Sequence, residues 1–280
     1  GISSVSTKNA LENIDVELPH WNFLSVVKSA KAKWNKSLQR VVINASDSVK
    51  TKFYTALYHS LLFPSIFNDV NGDYYGADYK LHHAKDFTNY TVLSLWDTYR
   101  GIHPLMTILQ PERVNDYVKT FLNIYEQQGK LPVWHLHGNE TNTMIGYPAV
   151  PIIVDAFLKG FREYDVELAY AAIKHSAMQG SEGINYVQKK EFIPADSVSE
   201  SVAKGLEYAI SDWGVAQMAK ALKKEEDYHY FSDRAKLYKH YFDTSTNFMR
   251  GRLDKHTWRV PFNPVSTVHR ANDYCEGNAW

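Results

Sequence analysis

From residue 111 to 129 the apolar side chains Val114, Tyr117, Val118, Phe121, Leu122 and Tyr125 return at helical spacing, with Pro111 ahead of them and Gly129 behind. Apolar residues three and four apart share one face, proline is tolerated in a first turn, and glycine takes the left-handed conformation that ends a helix. The spacing predicts an amphipathic helix. The same periodicity predicts helices over 53–63, 92–99, 150–158, 166–178, 202–222 and 231–248, and Ser197 with Glu200 reads as a capping box ahead of residue 202. The fold class is therefore mainly α, with about seven long helices paired as α-hairpins.

The connections qualify that picture. "NDVNGDYYGAD" (68–78) and "QGSEGINYVQKKEFIPADS" (179–197) are too long and polar for a plain bundle, and they predict a site on one rim of the helical array. Residues 14 to about 50 read as a linker with one short basic helix that ends near a β-rich "RVVINA". The helix pairs of similar length suggest a toroid rather than a bundle.

Composition narrows the function. With 31 basic and 31 acidic residues in 280 the net charge is zero, so neither nucleic acid nor an anionic membrane surface is an expected partner. No apolar run reaches the length of a membrane span. The single cysteine, Cys275, rules out an internal disulfide framework. Aromatic residues make up 14% of the chain; most suit helix-packing cores, and some can serve as flat platforms for sugar rings. Glycine-rich phosphate loops and the Gly-x-Ser-x-Gly elbow are missing, which removes nucleotide and serine-hydrolase readings.

Three clusters carry candidate chemistry. In "SLWDTYRG", Trp96, Asp97 and Arg100 combine a flat face, an acceptor and a donor suited to a sugar; the plainer alternative is an Asp97–Arg100 ion pair beside a core tryptophan. In "LPVWHLHGNETNTMIGYP", Glu140 follows Trp134 and Asn139 in a polar turn, where burial would fit it as a proton donor; alternatively it caps the following helix. His135 and His137, two apart on an extended run, would suit zinc or iron with Glu140. A helical chain lacks the parallel βα rhythm of such hydrolases, so histidines beside a sugar pocket are the better expectation. In "NDYCEGNAW", Glu276 and Asn278 are hard oxygen donors of the kind calcium takes.

Taken in order, "SLWDTYRGIHPL", "GKLPVWHLHGNETNTMIGYPAVPIIVDAFLKG", "VSESVAKGLEYAISDWGVAQMAK" and "YCEGNAW" resemble the catalytic domain of the calcium-dependent exo-α-mannosidases of glycoside hydrolase family 92. The resemblance implies part of an (α/α)6 toroid and an inverting hydrolase that removes terminal α-linked mannose from glycans, α-1,2 being the expected linkage, with calcium as cofactor. It implies Glu140 as general acid, Trp96 and Asp97 as mannose contacts, and Glu276 and Asn278 in the stretch that helps form the sugar and calcium site; Arg100, Trp134 and Asn139 in the same clusters are further candidate substrate contacts. Residues 1–50 become a linker to an N-terminal β-sandwich, and 51–280 the N-terminal portion of the toroid. The general base and the rest of the toroid are expected from sequence outside this chain, and the family's secreted or cell-surface location is implied too. Pro148 stands where the resemblance expects a histidine. Two other readings are a histidine–metal hydrolase and a non-catalytic carbohydrate-binding or scaffold module.

Overall fold

A computed structural model describes residues 1–267 and 273–280. Two peripheral helices open the chain, α1 (Thr7–Glu17) and α2 (Phe23–Leu38), followed by α3 (Asp47–Ser60). Short strands β1 (Ser65–Ile66), β2 (Asp73–Tyr75), β3 (Leu81–His83), β4 (Tyr90–Thr91) and β5 (Leu93–Ser94) lead into the single turn α4 (Leu95–Thr98), then α5 (Ile102–Leu109) and α6 (Pro111–Gln128). A hairpin of β6 (Trp134–Leu136) and β7 (Asn139–Glu140) precedes α7 (Ala149–Leu158), α8 (Val166–Met178), α9 (Ile184–Lys190), α10 (Ser201–Ala221) and α11 (Glu225–Arg234). A 3-10 turn (Leu237–Tyr241) and the hairpin β8 (Phe242–Asp243) and β9 (Phe248–Met249) follow.

The strongest periodicities form the core. Helix α6 begins on Pro111 and ends at Gly129, whose φ of 79° and N–H bond to the Tyr125 carbonyl close the last turn. Helix α8 starts at Asp165, whose carboxylate accepts the Leu168 N–H at 2.9 Å. α6 packs on α5, α7 and α8, and α10 packs on α7, α8 and α11. Val118, Phe121, Ile153, Ile173, Val215, Met218 and Phe231 meet in that layer with almost no exposure. Burying such side chains is worth about 1.5–3 kcal/mol each before ordering costs. Gly205 on α10 is fixed by close approach, because a Cβ there would lie 2.3 Å from the Tyr241 hydroxyl oxygen.

Several expectations change. Residues 14–50 hold the whole of α2, the end of α1 and the start of α3 rather than one short helix, and "RVVINA" forms no strand. α2 buries no residue, in keeping with a peripheral segment. Residues 92–99 are β5 followed by one helical turn, because Leu93 and Leu95 are buried two apart, the period of a strand. The helix expected over 231–248 begins earlier and stops at Arg234; Tyr241 instead joins a small satellite core with Phe192 and Val202. The predicted capping box does not form: Glu200 is itself the left-handed N-cap (φ 59°), and Ser197 Oγ bonds Asp196. The long loop over 179–197 contains α9.

Candidate active site

A three-stranded antiparallel sheet, ordered β5-β6-β7, brings two of the sequence clusters together. Ser94 lies opposite Trp134, and His135 opposite Glu140. The turn that carries Trp96 and Asp97 leaves the end of β5 and is held to β6 by the Leu95 N–H bond to the Val133 carbonyl, 3.2 Å. Trp96 and Asp97 therefore start beside the strand end where Glu140 sits. The hairpin turn needs His137 (φ 48°) and Gly138 (φ 82°), and a Cβ on Gly138 would press to 3.0 Å from the Tyr75 carbonyl.

Glu140 is half-buried and closes its own turn rather than capping α7, whose N-cap is Pro148. Its Oε1 accepts the N–H groups of Trp134 (2.9 Å) and Asn142 (2.7 Å), and its Oε2 accepts that of Val133 (2.9 Å). Three backbone donors fix the carboxylate's direction. Each carboxyl oxygen has two lone pairs, so Oε2, with one bond, keeps acceptor capacity that the described residues do not use.

The expected Asp97–Arg100 ion pair does not form. Arg100 turns the other way and pairs with Glu207 of α10, Nη2 to Oε1 3.1 Å, while Nη2 also donates to the Trp96 carbonyl at 3.1 Å. The Tyr99 hydroxyl donates to Glu207 Oε2 at 2.8 Å, and burial together with Glu207 holds that phenol well above its ordinary range. The Arg100 guanidinium lies 4.9 Å from the Trp96 ring centre and 4.7 Å from that of Tyr99. Asp97 stays exposed. The buried indole N–H groups of Trp96 and Trp134 have no hydrogen-bond partner among the described residues.

The C-terminal cluster docks on the start of α10. The buried Asp273 accepts Ser201 Oγ at 3.1 Å, and its carbonyl takes the Val202 and Ala203 N–H groups. Burial pushes the Cys275 thiol up to about 12, and the surrounding Glu200, Glu276 and Glu207 carboxylates push the same way. Arg100, Glu207 and the C-terminal stretch thus belong to one neighbourhood. Glu207 carries no sequence signal, since its partners Arg100 and Tyr99 lie 107 and 108 residues away.

The catalytic-domain model of glycosyl hydrolase family 92 matches residues 9–280. The chain belongs to this family. A family GH92 α-mannosidase from Bacteroides thetaiotaomicron is 41% identical over 99% of this chain and 37% of its own, with a TM-score of 0.94. The same mannosidase in complex with mannoimidazole superposes with a TM-score of 0.95. A family GH92 inverting mannosidase from the same organism is 30% identical, TM-score 0.91, covering 99% of this chain and 39% of its own. An uncharacterized secreted glycosidase from Arthroderma benhamiae is 24% identical over 90% of this chain and 31% of its own. The chain therefore spans about a third of the length of these relatives. Its mainly α architecture, part of an α/α toroid, is common to the GH92 structures.

Within this GH92 domain the histidine–metal alternative finds no support in the geometry of the described residues. His135 is 3% exposed among Phe67, Tyr74, Tyr90 and Gln127, and burial pushes its imidazole down to about 4. His137 sits instead in the exposed turn, its ring 5.9 Å from that of Phe67. Among the described residues no group of three His, Cys, Asp or Glu side chains is arranged to hold a metal ion. For calcium, Glu276 is exposed, and Asn278 is half-buried with its Oδ1 accepting the Trp280 N–H at 2.9 Å. These donors match calcium in kind but not in number, since the ion takes six to eight oxygens. No helix among the described residues is long and apolar enough to cross a membrane.

Proposed function

We propose that this chain supplies the acid side of an α-mannosidase active site, in an enzyme that removes terminal α-linked mannose from glycans. The observation that carries the reading is the 41% identity to a GH92 α-mannosidase across 99% of the chain, with Glu140 on a hairpin joined to the Trp96–Asp97 turn. Glu140 protonates the departing glycosidic oxygen. A water attacks the opposite face, activated by a carboxylate contributed from outside this chain, and the anomeric centre inverts. Trp96 and Trp134 offer aromatic faces to the sugar, while Asp97, Arg100 and Asn139 hydrogen-bond its hydroxyls. α-1,2-Linked mannose is the first linkage to test.

Calcium is the proposed cofactor, with Glu276 and Asn278 as this chain's donors and the remaining oxygens from the rest of the enzyme. That remainder is also the proposed cover for an apolar groove of about 820 Å³ between α10 and α11, lined by Leu206, Ile210, Trp213, Tyr228 and Tyr238. A secreted location is proposed from the similarity to the secreted glycosidase of Arthroderma benhamiae.

One observation favours a second reading. Glu140 is tied to three backbone N–H groups, as a purely structural glutamate would be, which suits a non-catalytic sugar-binding module. Turnover separates the two. The complete enzyme is incubated with an aryl α-mannoside while proton NMR follows the first-formed anomer, and chelation followed by calcium replacement is run in parallel. The reading expects β-mannose to appear first and activity to return with calcium. Mannose binding without turnover would leave the module reading instead, and unchanged activity after chelation would remove calcium.

A further inference from the structure

Glu207 binds together segments that the sequence keeps far apart. Its side chain is 15% exposed, against 50% for that of Arg100. One oxygen takes Arg100 Nη2 and the other takes the Tyr99 hydroxyl, so both oxygens are engaged by the turn that carries Trp96. The loop that carries Glu140 runs against the same residue: a Cβ on Gly146 (φ 85°) would lie 3.3 Å from Glu207 Cβ. Glu207 is also among the carboxylates acting on Cys275, beside Glu276.

The consequence falls on Arg100. Nη2 is divided between Glu207 and the Trp96 carbonyl, while Nη1 and Nε make no hydrogen bond to the described residues. A guanidinium is planar, so fixing one nitrogen and stacking the plane near two rings sets where the others point. Without the carboxylate, a long side chain on an exposed turn would sample many rotamers, and each would have to be given up when a sugar binds.

We infer that Glu207 is a positioning residue, which aims the unengaged N–H groups of Arg100 at the hydroxyls of the bound sugar. The inference rests on the mannosidase reading above. It is tested in the complete enzyme by steady-state kinetics on an aryl α-mannoside, comparing wild type, Glu207→Gln, Arg100→Ala and the double variant. Glu207→Gln is expected to raise KM about tenfold with kcat changed by no more than about twofold, the pattern of lost ground-state binding. The double variant should be no worse than Arg100→Ala alone, because Glu207 acts through Arg100.

A role confined to holding the fold would lower the melting temperature and the active fraction, leave KM alone, and add to the loss from Arg100→Ala. An unchanged KM in Glu207→Gln, or additive losses in the double variant, overturns the inference. A wild-type enzyme that hydrolyses no α-mannoside overturns the mannosidase reading instead, and removes the ground of the inference with it. Should Glu207→Gln fail to fold, Glu207→Asp, which keeps the charge one methylene short, is read by the same KM comparison and the same pairing with Arg100→Ala.

Discussion

Arg234 and Arg100 both pair with a carboxylate on α10, and the two pairs are built to opposite ends. The Arg234 side chain is 5% exposed: Nε and Nη2 grip Asp212 at 2.9 and 3.0 Å, and Nη1 donates to the Ala177 carbonyl at 2.9 Å. Asp212 in turn accepts the Tyr147 hydroxyl at 2.6 Å, and Tyr147 stacks on Tyr208 with ring centres 5.0 Å apart. Burial pushes the Asp212 carboxyl up to about 6, against the pull of Arg234 and Tyr147. At the rim, half of the Arg100 side chain remains exposed and two of its nitrogens are unengaged by the described residues. Every guanidinium nitrogen of Arg234 has a partner within the chain; Arg100 keeps two nitrogens without one among the described residues, and surplus donors are what a ligand site requires.

The contrast breaks most visibly at Arg234. Replacing it by Met leaves Asp212 buried without its cation, and a loss of about 3–5 kcal/mol is expected in denaturant unfolding of the complete enzyme. A loss below about 1 kcal/mol would mean that the interior pair is no more demanding than a surface one. Arg100→Ala should do the reverse, costing only about 0.2–1 kcal/mol of stability, as an exposed ion pair does. Its KM for an aryl α-mannoside should nonetheless rise about tenfold. A large fall in melting temperature with unchanged KM would assign Arg100 to the fold.

A smaller effect concerns His103, which is buried between α5 and α6 and whose imidazole burial pushes down from 6.5 to about 4. Between those pH values the unfolded chain binds a proton that the folded chain refuses. This histidine's contribution is therefore complete above pH 6.5 and is lost as pH falls toward 4, at up to about 1.4 kcal/mol per pH unit. His103→Leu should flatten the acid limb of the stability profile over that window, and an unchanged slope would show that the group does not titrate with folding.

How much of this was legible in the sequence follows from the physics of each segment. α6 and α8 were readable because each buries an apolar face and carries a local stop or start signal, Gly129 or Asp165, and α10 because its apolar positions recur at helical spacing along its length. Residues 92–99 misled because a short apolar run fits a strand and a helix equally, and only pairing with β6 decides. Residues 231–248 misled because Phe231 and Tyr241 enter two different clusters that happen to match helical spacing. The Trp96 and Glu140 segments stood out as local motifs, and the sheet brings them together. Glu207 was invisible, one carboxylate on a long helix until the fold set it against residues more than a hundred positions away.

The role proposed for Glu140 is to give a proton to the leaving oxygen. The most direct test compares Glu140→Gln with wild type, in the complete enzyme, on two mannosides: a mannobiose, whose sugar leaving group needs protonation, and an aryl mannoside whose nitrated phenolate leaves unaided. A loss of about 10²- to 10⁴-fold in kcat is expected on mannobiose, a far smaller one on the activated aryl mannoside, and binding of both is retained. Equal losses on the two substrates, or none on either, would contradict it.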